Sequence, residues 1–131
     1  MLAELAASPP APPEFNRTLD QDALQRLHEL DPQGTNRVVE RVLRAFEASL
    51  QRLLPQAAQA LRDGDQDAVR HVAHTLKSSS ASVGALDLSR RCADIENRLR
   101  TLHTDGLAER INALQAEGQR VLAAVRGLLP E

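Results

Sequence analysis

Aromatic side chains are nearly missing from this chain of 131 residues, which has two Phe, no Trp and no Tyr. Stacking on nucleic-acid bases or sugar rings has almost nothing to work with, and any core must be aliphatic. A single cysteine, Cys92, excludes an internal disulfide. The basic and apolar regions of a signal peptide are lacking, so a reducing, cytoplasmic location is expected. No apolar run approaches the roughly 18 to 20 residues that span a bilayer. Neither charge sign dominates: the net charge is −2, with both signs interspersed. That pattern offers no electrostatic footprint to a nucleic acid or to an anionic membrane. Period-two alternation is also absent over any useful length, which argues against strands.

What is present follows the helical period. Hydrophobic residues make up 42% of the chain, enough at this length for one core rather than two. Residues 1–16 hold Pro9, Pro10, Pro12 and Pro13 among Ala and Ser. They read as a disordered leader or linker, with Phe15 as an optional anchor on the domain that follows over 17–130. Thr18 or Asp20 is placed to cap a short helix carrying Leu19, Ala23, Leu24, Leu27 and Leu30, ended by Asp31-Pro32-Gln33-Gly34. Thr35 or Asn36 then caps a longer helix from Val39 to Leu61, in which Pro55 predicts a kink near Leu54.

Asp63-Gly64-Asp65 is a stop followed by a new cap. The next helix runs to about Val83, where Gly84 breaks it. Leu88, Cys92, Ile95, Leu99 and Leu102 mark a narrow seam on the helix after that. A last helix from Leu107 to Leu128 contains Gly118, a sign of close approach by a neighbour. Four long helices with short connections predict an all-α fold, an antiparallel up-and-down four-helix bundle with a short additional N-terminal helix.

The chemistry concentrates in His74 to Ala85. At about 100° per residue, Val69, Val72, Ala73, Leu76, Ser80 and Val83 fall within roughly 80° of arc and form a buried stripe. His74 lies roughly 140° from its centre and so faces solvent. Lys77 and Ser78 stand beside it on the next turn, and Ala81 lies one turn further. A neutral imidazole is a nucleophile that can accept a phosphoryl group on one ring nitrogen when a partner holds the other. Glu96, roughly 80° from the seam of its own helix, is placed to reach across as that partner. Lys77 supplies positive charge for phosphoryl oxygens, while Ser78 and Ala81 keep the surface low.

The stretch His74-Thr75-Leu76-Lys77-Ser78-Ser79-Ser80-Ala81-Ser82-Val83-Gly84-Ala85 resembles the signature of histidine-containing phosphotransfer (HPt) domains of two-component phosphorelays, His-x-Leu-Lys-Gly-Ser-Ser/Ala followed by Gly-Ala. Asp63-Gly64-Asp65, Ala73 and the Leu88, Cys92, Glu96 spacing are also similar to that family, so the likeness covers roughly Phe15 to Leu129. It implies that His74 is the phosphoacceptor, that Lys77 assists electrostatically, and that Glu96 stands where the family places a Gln or Glu contacting the imidazole. It further implies transfer between receiver-domain aspartates. Response-regulator receivers and a hybrid sensor histidine kinase would then be the partners of a monomer. The chain would hold no cofactor of its own, the Mg²⁺ belonging to the receiver. Ser78 departs from the usual Gly: its hydroxyl either hydrogen-bonds the phosphoryl group, the hypothesis preferred here, or narrows access.

Other readings are weaker. His71 and His74 form only half a metal site, and Cys92 belongs to an apolar seam. His28 and His103 read as solvated side chains, and the serine run lacks an acid–base partner set. Arg90, Arg91, Arg98 and Arg100 read as a solvated face, with partner docking as the alternative. No nucleotide loop or kinase motif is found, so self-phosphorylation from ATP is not expected. The rival function is a non-catalytic adaptor that binds a receiver or kinase through the same surface; an ordinary hydrolase lacks paired catalytic groups.

Overall fold

The computed structural model describes residues 18–35 and 37–130; the proline-rich leader, Phe15 and Asn36 lie outside the described residues. Among the described residues five helices follow in order: α1 (Gln21–Glu29), α2 (Val38–Asp63), α3 (Gln66–Ser82), α4 (Leu86–Arg100) and α5 (Leu107–Leu128). Helix α3 packs on α2 and α4, and α5 packs on α4 and α2, which closes an up-and-down four-helix bundle; α1 lies against α2. Leu43, Leu50, Leu54, Val69, Leu76, Leu88, Ile95, Ile111 and Val121 are among the side chains filling one aliphatic core.

The helix ends follow local chemistry. Asp20 caps α1 by accepting from the Ala23 N–H at 3.0 Å, and Asp65 caps α3 through the Ala68 N–H at 3.1 Å. Gly64, at φ 71°, closes α2 in the left-handed region that glycine adopts without strain. The start of α2 differs from the sequence expectation. Arg37, not Thr35, holds the N-cap position, at φ 53° and with no side-chain cap hydrogen bond, and the other candidate, Asn36, lies outside the described residues. The buried Asp31, seven residues earlier, instead accepts from the Val38 N–H at 3.4 Å. The Pro32–Gly34 turn folds the chain back far enough for a remote carboxylate to do a cap's work.

Two leucines assigned to apolar stripes are exposed. Leu30 ends α1 at 68% exposure. Leu102, at 82%, sits beyond the end of α4 with φ 63°. There the His103 N–H reaches Arg98 O at 2.7 Å and the Leu102 N–H reaches Leu99 O at 3.3 Å, a Schellman closure that turns the chain before the seam can continue.

Pro55 lies inside α2, which continues through it as one helix, with the Leu54 carbonyl accepting from Gln115 Nε2 of α5 at 2.7 Å. Opposite, a Cβ on Gly118 would stand 2.5 Å from Leu54 Cδ1, so the glycine is the space into which Leu54 packs.

Gly84 fixes the α3–α4 turn. Its φ is 84°, and a Cβ there would meet the backbone N and O of Asp20 at 2.8 Å. The Asp20 N–H donates to Gly84 O at 2.7 Å, so the start of α1 is seated on this turn. Gly84→Ala is therefore expected to cost at least about 2 kcal/mol, combining left-handed strain with a backbone clash. Urea unfolding checks this: a lower midpoint is expected, and an unchanged one contradicts the seating of α1 on the turn.

Candidate functional site

Helices α3 and α4 place the candidate residues. The apolar stripe of α3, with Val69, Val72, Ala73 and Leu76 almost fully buried, turns His74 outward; its side chain is 64% exposed. On α4 the buried residues Leu88, Cys92, Ile95 and Leu99 fix the rotation, and Glu96 falls at the edge of that seam facing α3. Its side chain is only 10% exposed, deeper than a flank position suggests. Ser89 Oγ donates to the Lys77 carbonyl at 2.7 Å and pins the two helices together one turn above the histidine.

The Glu96 carboxylate meets two partners. Oε2 lies 2.7 Å from His74 Nδ1, and Oε1 lies 2.7 Å from Lys77 Nζ. The Lys77 ammonium hydrogen-bonded to it holds Glu96 below the ordinary value of 4.5, with the His74 bond adding to this and burial opposing it. The carboxylate is thus charged at neutral pH and can only accept. Nδ1 must carry the proton in that bond, which leaves the Nε2 lone pair free on the exposed edge of the ring.

Sequence reasoning brought His74, Lys77 and Glu96 to one site, and the structure places them together. The Lys77 ammonium is engaged by Glu96, a contact the sequence did not indicate. Ser78 is exposed one turn beyond His74. Within the serine run, Ser79 and Ser82 donate to carbonyls one turn back, whereas Ser80 is fully buried with no partner for its hydroxyl. Position 80 thus calls for a small side chain.

A groove of about 230 Å³ opens beside the imidazole, lined by Asp67, Arg70, His71, His74 and Glu96. Arg70 was not singled out in the sequence. The signal was there, since it precedes His74 by four residues and so shares its face. Its guanidinium pairs with Asp67 at 3.4 Å, both groups being well exposed.

Elsewhere the chemistry is quieter. Burial, with Glu96 adding, pushes the Cys92 thiol up to about 12, so it stays protonated and poorly nucleophilic. A larger groove of about 640 Å³ lies between α4 and α5, on the side of α4 away from His74. Its charges largely satisfy one another: Arg91 pairs with Asp87 at 3.0 Å, and Asp94 takes both Arg98 and Arg110 at 3.2 and 2.7 Å. Arg90, Arg91 and Arg98 thus pair within α4, and the ion pair that crosses from α5 to α4 is that of Arg110 with Asp94. Among the described residues no three His, Cys, Asp or Glu side chains are grouped to hold a metal, and no helix is long and apolar enough to cross a membrane.

The family model described as the Hpt domain matches residues 41–124. The crystal structure of histidine-containing phosphotransfer protein B (HptB) from Pseudomonas aeruginosa PAO1 is similar over 90% of this chain and 95% of that one, with a TM-score of 0.75 and 25% identity. None of the curated proteins compared matches the sequence. The span matched by the family model runs from the first turn of α2 into the last turns of α5 and takes in the whole bundle with His74, and on that ground the chain belongs to the histidine-containing phosphotransfer (Hpt) domain family.

Proposed function

We propose that this protein is a phosphocarrier of a multistep phosphorelay, taking a phosphoryl group from the aspartate of one receiver domain onto His74 and passing it to the aspartate of another. The observation that carries the reading is the 2.7 Å contact between Glu96 Oε2 and His74 Nδ1 on an otherwise exposed imidazole. The Nε2 lone pair attacks the phosphorus of the receiver's acyl phosphate. A bond from Nε2 to phosphorus forms, the bond from phosphorus to the aspartyl oxygen breaks, and its electron pair leaves with the carboxylate. No proton has to move, because Nδ1 keeps its hydrogen and Glu96 compensates the positive charge that the ring acquires. Reversal of these steps onto a second aspartate discharges the carrier.

Lys77 keeps Glu96 ionised in this proposal and, while held there, assists the transfer through its positive charge. Ser78 contributes a neutral donor on the following turn. Receiver domains and a hybrid sensor kinase are the partners this chemistry requires, and the divalent ion belongs to their side of the interface. The arrangement of α3 and α4, with small residues Ser78 and Ala81 beyond the histidine, supports approach by another protein's active site.

Incubation with a receiver carrying radiolabelled phosphate tests the proposal. Wild type is expected to take up label and His74→Gln to take up none; equal labelling of both, or of neither, contradicts it, and the second result favours the adaptor. In the same assay Ser78→Gly is expected to slow transfer by up to about fivefold, the effect of one neutral hydrogen bond. An unchanged or faster rate removes any helpful role for the hydroxyl.

Glu96 also carries a pH signature. Its folded pKa lies below the unfolded one, so its carboxylate stabilises the fold above the ordinary value of 4.5, and this contribution is lost as the pH falls through the lowered folded value. Glu96→Gln is expected to lower the urea midpoint at pH 7 and to converge with wild type as the pH drops below 4.5. A stability difference constant from pH 7 to pH 3 would contradict an ionised, partnered Glu96.

A further inference from the structure

The geometry points to Arg70 as the side chain that receives the phosphoryl group once it is on His74; this inference rests on the reading of His74 as the phosphoacceptor. A phosphoryl group brings a charge of about −1.5 to −2 and three strong acceptor oxygens to the exposed edge of the ring. The nearest cation on the following turn, Lys77, is already 2.7 Å from Glu96, a buried carboxylate that would be left with less compensation if the ammonium swung away.

The preceding turn is different. Side chains on an α-helix lean toward its N-terminus, so the His74 ring lies over the turn that carries Arg70 and His71. The groove beside the imidazole is lined by these residues together with Asp67 and Glu96, and Lys77 and Ser78 are not part of its lining. Within that groove Arg70 has the one permanent positive charge. Its partner Asp67 holds it at 3.4 Å with a carboxylate that is 92% exposed, and such a pair costs little to break. A guanidinium also matches two phosphoryl oxygens at once, which an ammonium or a hydroxyl does not. Arg70 therefore exchanges Asp67 for the phosphoryl oxygens as the bond from Nε2 to phosphorus forms, while Lys77 stays on Glu96.

Phosphoramidate, a small donor, tests this without any docking partner. Nε2 attacks its phosphorus, the bond from phosphorus to nitrogen breaks, and the protonated nitrogen leaves with the bonding pair as ammonia. Arg70→Gln is expected to form phosphohistidine about tenfold more slowly than wild type, the effect of losing a charge-assisted hydrogen bond. Arg70→Lys, which keeps the charge, is expected to recover most of that loss. The Arg70 Nε–H resonance of the wild type is expected to shift on phosphorylation, which a merely structural arginine would not do. Wild-type rates in Arg70→Gln with an unmoved resonance overturn the role of Arg70 while leaving His74 intact. Labelling of His74→Gln, or none of the wild type, overturns the acceptor itself.

Discussion

The carboxylate of Glu96 is a charge taken almost entirely out of water and kept there by two contacts of 2.7 Å, one to His74 and one to Lys77. Burying a lone carboxylate is costly, and only partners with good geometry offset the loss of hydration. Both partners come from α3, three residues apart, while Glu96 comes from α4. The site therefore exists only when these helices are packed at one separation and one rotation. Everything that fixes the α3–α4 interface thereby fixes the protonation pattern of the imidazole.

Several features of the fold serve that interface. The stripe from Val69 to Leu76 and the seam from Leu88 to Leu99 lock the rotation of each helix by burial. Ser89 ties α4 to the Lys77 carbonyl, and the fully buried Ser80 keeps side-chain volume small at the end of α3. The Gly84 turn joins the two helices and receives the start of α1, so the accessory helix braces the hairpin that carries His74 and Glu96. Across the bundle, Leu54 packs into the space at Gly118 and Gln115 takes the Leu54 carbonyl, which ties α2 to α5 beside Pro55. The result is a closely packed scaffold with the His74 imidazole at its surface.

Much of this was legible in the residues themselves. Helical periodicity alone turned His74 outward and put Glu96 at a core edge, because burial of leucine, isoleucine and valine dictates helix rotation. The stops at Gly64 and Gly84 and the close approach at Gly118 were equally readable, since glycine's lack of a Cβ has a local physical meaning. What escaped the sequence depended on distances between elements. The contact of Lys77 with Glu96 is set by the α3–α4 spacing. The capping of α2 by Asp31 depends on how the preceding turn folds back, and the exposure of Leu102 depends on a Schellman closure that competes with continuation of the seam. Arg70 was missed for another reason: an arginine on a polar helix face is ordinary until a groove is seen beside it.

The central claim is that Glu96 holds His74 with its proton on Nδ1 and its lone pair on Nε2. Long-range ¹H–¹⁵N NMR of the ¹⁵N-labelled protein reads this directly, at a pH where the His74 ring is neutral. A protonated Nδ1 and an unprotonated Nε2 are expected in the wild type, with that preference lost in Glu96→Ala. A ring protonated on Nε2 in the wild type, or a tautomer indifferent to the loss of Glu96, would contradict it.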